Sequence, residues 1–114
     1  METNEKEISN SKWFIVVPLN EQGIEDCDFD RDTDNVKQFV FDRNDEYYAI
    51  LGIGFKVWKK NIFIDEYETT LIEPKDFYII RKAIKTYDYS EDVPHFLEAM
   101  ELAERCNTYL ELWM

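Results

Sequence analysis

Histidine, cysteine, glycine and proline are all scarce in this chain: one, two, three and three residues among 114. Cys27 and Cys106 are too few and too far apart for the disulfide framework that staples small secreted domains. They are expected to be thiols in a reducing compartment. The single histidine, His95, has no second histidine or cysteine at ligand spacing, so no zinc motif is present and a structural or exposed role is expected. Three glycines do not build a phosphate-cradling loop, which needs more glycine and a helix start directly behind it. No apolar run approaches the roughly 20 residues that span a bilayer. The opening residues METNEKEISNSK lack the basic start and apolar run of a secretory signal. The protein is therefore expected to be cytoplasmic, with no membrane partner.

Basic stretches are missing too. A net charge of −12 repels a phosphate backbone, so no direct nucleic-acid ligand is expected. Lys56, Lys59 and Lys60 are a local exception, expected as solvated charges at a hairpin end. Ser9, Ser11 and Ser90 lie in no nucleophile motif, and nothing selects a catalytic pair among the 25 acids. A Cys-His pair would have to be assembled by the fold. No enzyme activity, metal or cofactor is expected.

What is present is aromatic and acidic. Eighteen aromatic residues supply the core of a chain that is 45% hydrophobic, and each buried ring removes a large apolar area from water. The acids are unevenly spread. Residues 36–90 carry nine acidic and nine basic side chains, whereas residues 21–34 hold seven acids against Arg31 and residues 91–111 hold six against Arg105. A neutral middle between two acidic segments predicts one or two negative faces suited to a basic partner.

Residues 1–11 are expected to be a flexible polar arm, and residues 12–114 a single domain. The apolar run 13–17, stopped by Pro18, predicts a strand. Residues 20–35 are expected as a polar connection with Gly23 as a turn signal, and 36–41 as a second strand. The cluster 42–45 predicts a turn. Residues 46–58 alternate, with Tyr47, Ala49, Leu51, Ile53, Phe55 and Val57 on one side, and predict a third strand with a bulge at Gly52 and Gly54. A hairpin turn at 59–61 then leads into a fourth strand over 62–72. Pro74 opens a helix with Phe77, Ile80, Ile84 and Tyr87 inward, and Pro94 lies in the first turn of another. Phe96, Leu97, Met100 and Ala103 should face inward there, with Asn107 as a left-handed cap. Residues 108–113 return as a strand. This order predicts an α+β domain: a mainly antiparallel sheet of about five strands with two helices packed on one face.

The sharpest pattern is Asp26, Asp28, Asp30, Asp32 and Asp34 at a strict spacing of two. On an extended chain they would project alike, about 6–7 Å apart, close to the spacing of successive phosphates along a nucleic-acid strand. Cys27 and Phe29 would then point the other way and pin the segment. A solvated irregular loop competes, since aspartate is a poor strand former and neighbouring like charges repel. No register of the row supplies both the glycine turn and the closing glutamate of a calcium loop. Glu98, Glu101 and Glu104 make a second acidic stripe on one helix, with an ordinary solvated face as the competing account. Trp58 is the best candidate for an exposed aromatic anchor, whereas Trp13 and Trp113 are expected in the core.

In its size, its acidity and the closing piece AMELAERCNTYLELW, the chain resembles the small acidic immunity proteins that bacteria make against polymorphic or contact-delivered toxins. The resemblance implies a non-enzymatic inhibitor of a basic protein, most naturally a nuclease toxin whose nucleic-acid-binding face it covers. Asp26, Asp28, Asp30, Asp32, Asp34, Trp58, Glu98, Glu101 and Glu104 are the candidate partner-binding residues. A phage-encoded DNA mimic that blocks a restriction or CRISPR effector fits the same composition. So does a regulatory domain whose acidity only maintains solubility.

Overall fold

The apolar run that begins at Trp13 becomes β1 (Phe14–Pro18), and all five of its residues are buried. A strand apolar on both sides must be covered on both sides, and this one is. In a computed structural model that describes residues 13–29, 31–41, 44–65 and 68–114, Ile15 and Val17 enter a large core while Phe14 and Val16 enter a smaller one. The polar arm expected over residues 1–11 lies outside the described residues.

The chain continues through α1 (Glu21–Asp28) to β2 (Val36–Val40). Helix α2 (Asn44–Val57) runs into a 3₁₀ turn over Trp58–Lys60, and β3 spans Thr70–Ile72. A 3₁₀ turn over Pro74–Asp76 leads into α3 (Phe77–Thr86), followed by α4 (Pro94–Cys106) and β4 (Leu110–Trp113). The strands form one antiparallel sheet in the order β2-β1-β4-β3. Ile15 lies opposite Phe39 of β2 on one side and Leu112 of β4 on the other. Helices α2, α3 and α4 share the large core with Ile15 and Val17. Helix α1 lies on the opposite face, where Cys27 packs with Phe14, Val16 and Val36.

The α+β class and the antiparallel sheet agree with expectation, but there are four described strands rather than five, and four α-helices rather than two. Helices also cover both faces. The largest correction is residues 46–58, which form a helix. Its buried residues Tyr47, Ile50, Ile53 and Val57 recur at three and four, the period of a helix packed along one side. The expected bulge at Gly52 and Gly54 is therefore helical. Residues 59–61 are not a hairpin turn: Asn61, at φ 65°, turns the chain out of the 3₁₀ end, and among the described residues of the segment 62–72 the strand is Thr70–Ile72. Residues 42 and 43 of the expected turn lie outside the described residues, while Asn44 and Asp45 open α2.

The connection expected over 20–35 contains α1 because Asn20 caps it, accepting the Gly23 N–H at 2.8 Å. The later helices start and stop as expected. Pro94 occupies the first turn of α4, and Asn107 is left-handed at φ 58°. There the Thr108 N–H bonds the Ala103 carbonyl at 2.9 Å, and the Asn107 N–H bonds Glu104 at 3.2 Å, which satisfies the last carbonyls. One residue of the α3 stripe departs from expectation: Tyr87 is exposed, with Lys56 Nζ 4.5 Å from its ring centre.

Candidate functional site

The aspartates do not form an extended row. Asp26 and Asp28 both lie on α1, where two residues differ by roughly 200° around the axis. Asp28, Asp32 and Asp34 are exposed, and Asp30 lies outside the described residues. Asp26 is only 3% exposed. It accepts the Thr33 hydroxyl at 2.6 Å and the Gln22 amide at 3.1 Å, and faces the Arg31 guanidinium at 3.2 Å. Asp26 thus fastens the segment after α1 back onto the helix instead of presenting charge to a partner. Cys27 is buried, as expected of a pin, but Phe29 is exposed, with the Arg31 guanidinium 5.2 Å from its ring centre.

The hydrogen bonds from Thr33 and then Gln22 hold the Asp26 carboxyl below its ordinary value of 3.8, against the opposing effect of desolvation. A depressed folded-state pKa gives stabilisation that is present above the unfolded value and lost as pH falls through the folded one. Asp26→Asn is therefore expected to lower the urea midpoint at neutral pH and to flatten its decline in acid. Midpoints of the two proteins that fall in parallel below pH ~4 would contradict this assignment.

Glu98, Glu101 and Glu104 are exposed along α4 as expected, but two of the three are already paired. Glu104 takes a bidentate contact from Arg81 of α3 at 2.7 and 2.8 Å, which holds its carboxyl below the ordinary range. Glu101 lies 3.6 Å from Arg105, one turn on. Among the described residues only Glu98 of this stripe has no ion pair. The α1–β2 segment is more negative. Glu21, Glu25, Asp28, Asp32 and Asp34 are exposed there, and its one cation, Arg31, faces Asp26 and Glu25. Because α1 and α4 lie on opposite faces of the sheet, the two acidic segments do not line a common groove.

A different surface gathers aromatics. On α2 and the segment after it, Phe55, Trp58 and Phe63 are 79%, 61% and 56% exposed. With Leu51, Gly54, Ile64 and Asp65 they line an open groove of about 320 Å³. Trp58 and Phe63 meet edge to face, ring centres 6.5 Å apart at 72°. Gly54 lets the following segment come close: a Cβ there would lie 3.0 Å from the Cβ of Ile64. Trp58 is exposed as its sequence context suggested. Phe55 and Phe63 were not singled out, because a strand assignment gave them no shared face. Trp13 stacks on Tyr47 at 4.1 Å and Trp113 on Phe14 at 5.3 Å, both partly buried beside the two cores.

His95 is half-buried and has a partner that the sequence did not reveal. Glu46, in the first turn of α2 and only 6% exposed, places Oε1 2.7 Å from His95 Nδ1, and its Oε2 accepts the Phe96 N–H at 3.0 Å. Phe96 is in the first turn of α4, whose own preceding residue, Val93, gives no side-chain cap. Glu46 fills that vacancy from 50 residues away. The imidazole edges toward Phe39 and Phe41. A single carboxylate thereby joins α2 to the start of α4.

Among the described residues, no group of three His, Cys, Asp or Glu side chains is placed to hold a metal ion. Cys27 lies on the buried side of α1 and Cys106 at the end of α4, and both are thiols. No described helix is long and apolar enough to cross a membrane. Comparison with protein-family models, with curated proteins and with solved structures gives no match to this chain.

Proposed function

We propose that this chain is a non-enzymatic acidic binding protein that inhibits a basic protein partner, specifically an immunity protein covering the nucleic-acid-binding face of a cognate nuclease toxin in the cytoplasm. The observation that carries this is the α1–β2 segment, where five exposed carboxylates are accompanied by one arginine already engaged within the segment. Such a surface attracts a basic groove over a distance set by ionic strength and accelerates encounter. The partner meets this face rather than a cleft lined by both acidic segments, since α4 lies across the sheet. Aromatic contacts inside a polar rim would then slow dissociation.

A pull-down from the native host, washed at low and then high salt, tests the proposal directly. A basic nuclease retained near one-to-one supports it, and an empty capture at low salt refutes it. With the partner in hand, association is expected to slow by at least ~10-fold between low and physiological ionic strength. Replacing Asp28, Asp32 and Asp34 together by asparagine should give a similar slowing even at low salt. A rate indifferent to both changes removes the electrostatic basis. The DNA-mimic alternative loses its specific support, because a phosphate-like row does not form among the described aspartates. Net charge alone remains in its favour.

A further inference from the structure

We infer that the half of the sheet face beside α1 is a docking slot for a basic amphipathic helix of the protein partner, its apolar stripe on β3 and β4 and its cations along α1. The inference deepens the inhibitor reading and rests on it for the partner. The shape and chemistry of the slot rest on the fold.

Among the described residues, α1 is the one helix on its face of the sheet. It packs on β1 and β2, where Cys27 meets Phe14, Val16 and Val36. Strands β4 and β3 continue that face past the helix. Strand pairing sets Gln38, Val16, Glu111 and Leu71 in one row across the sheet, and side chains in such a row project to the same side. Val16 is buried beneath α1, whereas Leu71, two strands further on, is 50% exposed. Two strand spacings come to about 10 Å, the width of one helix. A helix laid there would be a neighbour of α1 at ordinary packing distance.

The floor of the slot is largely apolar. Trp113 lies on the same side as Leu71, half-buried and stacked on Phe14, and its indole donates to Glu111 at 3.3 Å. Tyr109 is half-buried two residues before Glu111. Its phenol is pushed up to about 12, first by burial and then by Cys27, Glu111 and Asp28, so the ring lies close to both β4 and α1.

The wall is acidic. Asp26 reaches Thr33 in the lead-in to β2. Ile24 and Asp28 are each two residues from Asp26, about 200° round the helix, and therefore lie on the side of β4. Asp28 is exposed and Ile24 half-buried. The floor alone would accept any hydrophobic segment. Asp28 and Glu111 border it, on a face that also exposes Glu21 and Glu25, so charge complementarity selects a helix with Lys or Arg beside its apolar stripe. A second copy of this chain, at −12, brings like charge instead.

The test uses the full chain labelled with ¹⁵N and a leucine–lysine peptide of about 18 residues, with its leucines at helical spacing. A leucine–glutamate peptide of the same pattern is the control. At physiological salt the lysine peptide is expected to shift the Trp113 indole N–H and the amides of residues 24–28, 70–72 and 109–113, leaving the Trp58 indole in place. The glutamate peptide should bind at least ~10-fold more weakly. Leu71→Lys in the floor and Asp28→Lys in the wall should each weaken the lysine peptide by a similar factor. Both side chains are exposed enough that their replacement leaves the fold intact, which an unchanged spectrum away from the slot verifies. Equal binding of the two peptides would show a merely apolar face and overturn the inference. So would lysine-peptide shifts confined to residues 51–65, or an affinity that Leu71→Lys leaves unaltered. The two proposals fail separately. A captured nuclease that dissociates from Leu71→Lys no faster than from the parent removes the slot and leaves the inhibitor standing. A lysine peptide seated in the slot of a protein that captures no basic partner does the reverse.

Discussion

Alanine in place of Gly23 is expected to destabilise the protein by about 2–3 kcal/mol, the cost of forcing atoms into a packed site, although alanine is the better helix former. A Cβ at position 23 would lie 2.1 Å from the Asn35 carbonyl oxygen, 3.1 Å from its carbon and 3.3 Å from Cα of Pro18. All three are backbone atoms and cannot rotate away. The Asn35 carbonyl is also held in place by the Leu19 N–H at 2.8 Å. Relief requires α1 to lift from the sheet, which would uncover Cys27 and strain the Asp26 contacts beyond it. The same change at Gly52 meets only the hydroxyl end of Tyr89, a side chain that can swing, so it should cost far less. Urea denaturation of both variants decides the matter. A Gly23→Ala protein as stable as its parent would mean that α1 does not sit so close to the β1–β2 pair.

Glu46→Ala is expected to cost about 3 kcal/mol, combining a lost helix cap with a lost hydrogen bond to a charged group. The carboxylate oxygens accept, which places a proton on His95 Nδ1. Removing them strands the Phe96 N–H in a buried site at the start of α4. Glu46→Gln retains an acceptor for that N–H and should cost about 1 kcal/mol. If the pair acts together, Glu46→Ala and His95→Ala will be non-additive by about 0.5–3 kcal/mol in a double-mutant cycle. A cost for Glu46→Ala below ~0.5 kcal/mol, the level of an ordinary surface change, would show that α4 needs no cap from α2.

Where one period dominated, the fold was legible. Residues 13–17 and 36–41 were short and apolar enough to be strands, and Pro74, Pro94 and Asn107 marked helix ends by backbone geometry alone. Residues 46–58 misled because apolar residues occupy both sides of α2. Tyr47, Ile50, Ile53 and Val57 face the core, while Tyr48, Phe55 and Trp58 face out. Together they fill an alternating pattern that looks like a strand. The residues that hid the helix are thus largely the ones that build the groove. Length was the overlooked signal, since thirteen residues exceed an ordinary strand. In the aspartate row the error was one of conformation. Asn20 and Gly23 specify a short capped helix there, and Asp26 turns inward to Thr33, a partner seven residues away that spacing alone does not disclose. The Glu46–His95 contact spans 49 residues. Nothing local announces it.

The position of β4 shapes how the molecule is assembled. Its pairing with β1 joins Phe14 to Trp113, nearly the whole described chain apart, and among the described residues β4 is also the only strand beside β3. Closing so long a loop is slow relative to winding α3 and α4, whose internal backbone hydrogen bonds are local. Until it closes, β1 has a neighbour on one side only, and its run Phe-Ile-Val-Val offers unpaired backbone flanked by bare apolar side chains. Another unfinished chain can add to that edge as readily as β4 can. Yield on refolding should therefore depend on protein concentration, with the capture of β4 by its own β1 racing against capture by a neighbour's strand.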